Sequence, residues 1–230
     1  MLDLIFNEAV EAVLQGNAEK AAAVANKGLD QGIDPLKLMN DGFIPGINQV
    51  GDLFESGRLF LPQLIYAAGA MEKAMEILNE AILDGKEILS GKILIGTVEG
   101  DVHDIGKTIV VTLLKANGFD VIDLGRDVSV ERFINEAEKA GVDIIGTSTL
   151  LTTTMEVQHQ LELALLQADL KQKYKTIVGG APVTQRWADR IGADAYAQDA
   201  GDGVKQVKRL LSLKHTGGGS NWDRVDSKST

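Results

Sequence analysis

A single histidine in this chain stands between acids. The stretch Glu99-Gly100-Asp101-Val102-His103-Asp104-Ile105-Gly106-Lys107-Thr108 puts His103 two residues after one carboxylate and one residue before another. A carboxylate that accepts the N–H of one ring nitrogen fixes the tautomer and makes the other nitrogen a better donor to a metal. An ordinary zinc site needs three protein ligands. The chain has only two other histidines, His159 and His215, and no cysteine. Disulfides, thiolate zinc sites, iron–sulfur clusters and cysteine nucleophiles are therefore excluded. One imidazole suits a metal whose other positions are already filled by a macrocycle. The same residues also admit a plainer reading, an exposed loop histidine that caps a helix together with Asp104.

Gly106-Lys107-Thr108 resembles the end of a phosphate loop, but the position five residues before Gly106 is Asp101 where that pattern needs glycine. Glu99, Asp101 and Asp104 would also set three carboxylates beside an anion. Nucleoside triphosphate binding is set aside on both grounds. A net charge of −10 over 230 residues, with no Lys/Arg run, argues equally against nucleic acid and anionic membranes. The N-terminus has no basic region followed by an apolar one, and 18 apolar residues never run together. A soluble, cytoplasmic protein is expected.

The elements that must position His103 follow from periodicity. Up to about Gly85 the pattern is helical: segments near 4–14 and 18–30, a stripe of Ile47, Val50 and Phe54, and Leu61, Leu64, Ile65, Ala68, Met71, Met75 and Leu78 along one face. Pro62 sits near the start of that last helix, where a missing N–H does no harm. From Gly91 short apolar runs alternate with helical stretches. Strands are expected over 92–98, 119–124, 142–147, 176–178 and 193–196, and helices over 107–116, 130–140, 155–170, 184–190 and 202–213. Gly118, Gly141 and Gly192 close three of these helices. The expected fold class is α/β: a four-helix cap over 1–88, then a doubly wound five-stranded parallel sheet, Rossmann-like, over 91–213. Residues 214–230 read as a flexible tail. Ligands of such sheets bind at the carboxyl ends of the strands, here after Val98, Thr147 and Val178.

Those positions carry D-x-H-x-x-G, then after 41 residues Ser148-x-Leu150, then after 28 residues Gly179-Gly180. Taken singly, Ser148 and Thr152–Thr154 could cap a helix, Gly179-Gly180 could be a turn, and Phe54 and Leu61 could be core. The joint spacing resembles the cobalamin-binding fold of corrinoid proteins, and is similar to the cobalamin-binding module of methionine synthase. Residues 50–64, VGDLFESGRLFLPQL, resemble the helical cap of methyl-carrying corrinoid proteins.

The resemblance implies a cobamide, cobalamin or a relative, held base-off and His-on, with methylcobamide as its loaded form. It makes His103 the lower cobalt ligand, Asp101 its hydrogen-bond partner and Thr154 the hydroxyl behind that carboxylate. Ser148 and Thr152 would bond the displaced nucleotide tail, with Gly106, Gly179 and Gly180 leaving room for it. Gly100, Val102, Asp104, Ile105, Leu150 and Ala181 complete the contacts, and Phe54 and Leu61 would cover the upper face. A cap that swings about 84–91 is implied as well.

The implied function is a non-autonomous methyl carrier. Its implied partners are a substrate:corrinoid methyltransferase, a second methyltransferase that methylates a folate or thiol coenzyme, and a reductive activation protein. The loop Leu151–Met155 and Gly179–Val183 look like the methylamine and quaternary-amine type. A cobalamin-dependent sensor or regulator would need a basic DNA-reading module, for which there is no room before Leu4 or after Leu213. A corrinoid storage protein is the third reading.

Overall fold

The computed structural model describes residues 2–81 and 91–215. Residues 84–90 of the expected hinge and 216–230 of the expected tail lie outside them.

The first half is helical for the reason its periodicity suggests. Helix α1 (Leu2–Leu14) buries Ile5, Ala9, Ala12 and Val13, spaced to share one face. Asn17 caps α2 (Ala18–Asp30) by accepting the Lys20 N–H at 2.9 Å. Asp34 does the same for Lys37 at the start of α3 (Pro35–Leu38). A π-helical turn, Met39–Phe43, then runs straight into α4 (Ile44–Glu55). The extra residue in that turn shifts the helical phase, which the spacing of apolar residues did not anticipate. Helix α5 (Leu61–Glu80) carries Pro62 in its first turn and buries Leu64, Ala67, Met71, Ala74 and Leu78. The buried faces of α2 and α5 are rich in alanine, which lets the two axes approach closely.

The second half alternates strand and helix: β1 (Lys92–Thr97), α6 (Ile105–Ala116), β2 (Asp120–Asp123), α7 (Val130–Ala140), β3 (Ile144–Ser148), α8 (Met155–Gln167), β4 (Lys175–Gly179), α9 (Gln185–Ile191), β5 (Ala195–Ala197) and α10 (Ala200–His215). All pairings are parallel and the order is β2-β1-β3-β4-β5. Gly118, Gly141 and Gly192 all have positive φ, as helix ends require. Helix α8 stops at Gln167, three residues short of expectation, and the chain reverses through Asp169 with φ 58°.

Side chains of β1 alternate between two cores. Ile93 and Ile95 join one apolar cluster together with α6, α10 and the whole helical half. Leu94 faces the other, with Phe133, Ile145, Leu161 and Tyr174 beneath α7 and α8. The cap thus shares one continuous core with the α6/α10 face of the sheet. Glu55, the last residue of α4, reaches the first turn of α10. It accepts the Gly201 N–H there, and a Cβ on Gly201 would collide with its carboxylate.

The chain order reverses between β1 and β3, the switch point at which open α/β sheets bind ligands. His103 lies in the loop leaving β1 at that point.

Candidate functional site

The loop after β1 is held from below by groups it does not itself contain. Thr97 Oγ1 donates to the His103 carbonyl at 3.0 Å. The Gly100 N–H donates to Asp127 Oδ1 at 2.8 Å, while the Asp127 N–H returns to the Asp101 carbonyl at 3.1 Å. Asp127 adopts φ 55°, a left-handed conformation that aspartate tolerates better than most side chains.

Asp101 is fully buried and both its oxygens are engaged. Oδ1 accepts the His103 backbone N–H at 3.0 Å and meets the ring Nδ1 at 2.7 Å. Oδ2 accepts the N–H of Leu150 at 2.6 Å and of Leu151 at 3.3 Å. The hydroxyls of Thr149 and Thr154 lie 3.1 and 3.2 Å from the same oxygen. Burial by itself would raise the Asp101 carboxyl. The bonds from the His103 and Leu150 backbone, the His103 ring and Thr149 outweigh it and hold the group well below the usual carboxylate range.

An ionised acceptor facing Nδ1 requires that Nδ1 carry the proton. In neutral His103 the lone pair then sits on Nε2. The ring is half-exposed, with 48% of its side-chain surface open, and it lines a cavity of about 800 Å³. Among the described residues no cluster of three or more His, Asp or Glu side chains is set to hold a metal by itself.

The structure brings most of the expected residues to this cavity. Val102, His103, Asp104, Ile105 and Gly106 line it from the first loop, Ser148 and Leu150 from the second, Gly179, Gly180 and Ala181 from the third, and Phe54 from the cap. Asp101 and Thr154 stand behind His103. Gly100, with φ 78°, lies beside Thr154. Thr152 is exposed and Leu61 is partly buried against the core; neither lines the cavity. Asp104 occupies the N-cap position of α6 and Thr154 that of α8, yet neither side chain makes a capping bond. The plain capping readings therefore do not describe these two residues. Lys107 is buried against Asp123, both of whose oxygens hold its ammonium, so it is not available to a phosphate.

Three contributors escaped sequence reasoning. Thr149 was the unread middle position of Ser148-x-Leu150. Thr97 lay inside a strand, and Asp127 followed a glycine in Gly125-Arg126-Asp127, a turn signal that pointed to the loop but not to its target.

These features fit a large, flat, partly apolar cofactor. Val102, Ile105 and Leu150 surround His103 with exposed apolar surface, 60%, 72% and 45% open. Gly106, Gly179 and Gly180 line the same cavity. A Cβ on Gly180 would strike the Thr149 carbonyl oxygen, and that glycine has φ 125°. Cavity-lining Thr147 has a buried hydroxyl without a hydrogen-bond partner among the described residues. Residues 91–207 match the B12 binding domain family, and residues 5–79 match a second family of B12 binding domains. This chain belongs to the B12-binding corrinoid proteins.

Trimethylamine corrinoid protein 2 of Methanosarcina acetivorans is 44% identical over 209 residues, which cover 90% of this chain and 96% of that one. A cobalamin-binding protein from Desulfitobacterium hafniense superposes with TM-score 0.75 at 33% identity, over 89% of this chain and 98% of its own. The methanol:cobalamin methyltransferase complex of Methanosarcina barkeri matches with TM-score 0.76 at 30% identity, over 91% of this chain and 80% of that chain. The corrinoid family carries cobalamin or another cobamide as its cofactor. The five-stranded parallel sheet and the helical half are those of its solved members.

Proposed function

We propose that this chain is the methyl-carrying corrinoid subunit of a methyltransferase system, binding its cobamide with the lower base displaced and His103 in its place. The observation that carries the proposal is the 2.7 Å contact between His103 Nδ1 and Asp101 Oδ1. It leaves Nε2 as the free donor on a half-exposed ring that lines the cavity.

When bound, the cofactor supplies the methyl-transfer chemistry through its cobalt. The chain's own residues do the rest. Asp101 holds the tautomer that presents Nε2, and Thr154 holds Asp101. Ser148, Thr147 and the small residues Gly106, Gly179 and Gly180 would receive the displaced nucleotide tail. Phe54, brought by the cap, would shield the opposite face from water.

The described residues form a helical cap and one α/β sheet domain, and the cavity that His103 lines has the size and chemistry of a cofactor site. In this reading the chain works in the cytoplasm with a substrate:corrinoid methyltransferase, a second methyltransferase serving a folate or thiol coenzyme, and a reductive activation protein; its similarity to the chain in the methanol:cobalamin methyltransferase complex supports the first of these. Similarity to a trimethylamine corrinoid protein supports a methylated amine as the donor class. Among the described residues no helix is long and apolar enough to cross a membrane.

The test is direct. The protein is reconstituted with hydroxocobalamin, reduced, and offered trimethylamine with its cognate methyltransferase while the cobalt spectrum is followed. The His103→Ala variant should retain corrinoid but lose the imidazole-ligated spectrum. An unchanged spectrum would refute the ligand assignment.

A further inference from the structure

Thr149 stands at a junction. Its backbone N–H donates to the Gly179 carbonyl at 3.2 Å, and its own carbonyl presses on Gly180, so its main chain is fixed against the third loop. Its side chain is turned the other way, toward the carboxylate that holds His103, and the residue is 1% exposed.

The proton inventory there is unusual. Thr149 Oγ1 and Thr154 Oγ1 are 2.6 Å apart. Both lie within reach of Asp101 Oδ2, at 3.1 and 3.2 Å, and of the Leu151 carbonyl, at 3.2 and 3.0 Å. Each hydroxyl owns one proton. At 2.6 Å one oxygen must donate to the other, because two facing lone pairs would repel. One hydroxyl proton then remains for two acceptors. Asp101 Oδ2 and the Leu151 carbonyl compete for it, so the more it turns to one the less it serves the other.

We infer that Thr149 is a positioning residue for the lower ligand, forming with Thr154 a two-hydroxyl rotor that sets how strongly Asp101 holds the His103 ring. This rests on the reading of His103 as that ligand. The hydroxyl that donates to Asp101 is polarised by accepting from its neighbour, which makes it a stronger donor than a lone threonine. With the proton on Asp101 Oδ2, charge is drawn away from Oδ1 and the bond to Nδ1–H weakens. With the proton turned to Leu151, Oδ1 grips the ring harder and Nε2 becomes the better donor. A single hydroxyl at Thr154 would give the weaker of these effects. The pair gives both and can switch without moving a heavy atom.

The experiment compares the parent with Thr149→Val, which keeps the shape and removes the hydroxyl, and Thr149→Ser, which restores it. In the cobamide-free protein labelled with ¹⁵N-histidine, the His103 Nδ1–H resonance should move downfield in Thr149→Val and return in Thr149→Ser. In protein loaded with cob(II)alamin, the ratio of imidazole-bound to imidazole-free cobalt, read from nitrogen splitting in the electron paramagnetic resonance spectrum, should rise by about threefold or more in Thr149→Val. If valine prevents folding, Thr149→Ala serves for both measurements. A resonance and a ratio that stay at the parental values, or move the opposite way, would overturn the inference. A parent that shows no nitrogen splitting at all would instead defeat the lower-ligand assignment, and the cobamide-free measurement would still decide whether Thr149 acts on the ring.

Discussion

The Glu55 carboxylate occupies the space that a side chain on Gly201 would need, so the cap reaches the first turn of α10 only because residue 201 has none. An acid at the end of its own helix α4 is poorly placed, but at the start of α10 it meets a free N–H and a favourable dipole. Gly201→Ala should expel Glu55 yet stay within about 1 kcal/mol of the parent, because the displaced group is the end of a mobile side chain and alanine favours the helix. Gly180→Ala should behave differently. It strikes the backbone carbonyl of Thr149 at a left-handed φ, and should lose about 2 kcal/mol or more. Urea unfolding of the two variants side by side checks the contrast.

Burial and the neighbouring Asp199 charge raise the Glu55 carboxyl above its ordinary value, partly offset by Lys205 and the Gly201 N–H. A carboxyl raised in the folded state binds more protons there than in the unfolded chain, so stability falls as pH climbs through the raised value. Glu55→Gln keeps an acceptor for Gly201 but cannot ionise. The variant should be favoured over the parent most at neutral pH, and the advantage should shrink as pH falls to the ordinary carboxylate range. Melting temperatures at both ends of that window decide it, and a gap that widens on acidification would contradict the assignment.

Asp101→Asn tests the tautomer. Its amide oxygen will stay with the Leu150 and Leu151 N–H groups, which turns the NH₂ toward His103 Nδ1. The ring can then satisfy that donor only by accepting at Nδ1, with the proton moved to Nε2. Nitrogen NMR of the cobamide-free protein should show the exchanged tautomer, and the loaded protein should lose imidazole ligation. Exposing the backbone His103 N–H to the same amide should also cost about 1–3 kcal/mol.

At the opposite ends of β4 and β5, Lys171 joins Glu162 at 2.5 Å, Asp194 at 2.9 Å and Thr176 at 2.8 Å. Burial raises the Glu162 carboxyl, and Lys171 is the largest opposing influence, with help from the Thr176 hydroxyl. Lys171→Met strands a buried acid and should cost about 3–5 kcal/mol by denaturant titration. Cobamide uptake at low temperature should survive, since the cluster lies a full strand length from His103.

Much of the candidate site was legible because each of its loops carries a short local motif, and the joint spacing of the three resembles that of the corrinoid family. Asp101 and His103 are two residues apart in one loop, and each glycine that needs a left-handed turn announces itself by type. What distance in sequence conceals is different. Thr149 reaches Asp101 across 48 positions, and its role depends on the path of a loop pinned by Gly180. Asp127 matters through a backbone conformation that no residue type dictates. The π-helical turn at Met39–Phe43 resets the phase of α4 and so decides which side of the cap Phe54 and Glu55 face. The helical period could be read on either side of it, but the offset between the two could not.

One apolar cluster runs from Ile5 and Leu78 through Val50 into Leu113 and Val204, so cap and sheet domain share it, with Glu55 among the polar groups at the edge of that junction. Parting those layers would wet both walls, at about 2.5 kcal/mol for each 100 Å² of apolar area laid bare. Against the slim margin that holds a chain of this size together, such a gap is not opened by thermal motion and left standing. Any partner that parted these layers would have to bring a greasy face of its own, so that one cover was traded for another and water never entered between.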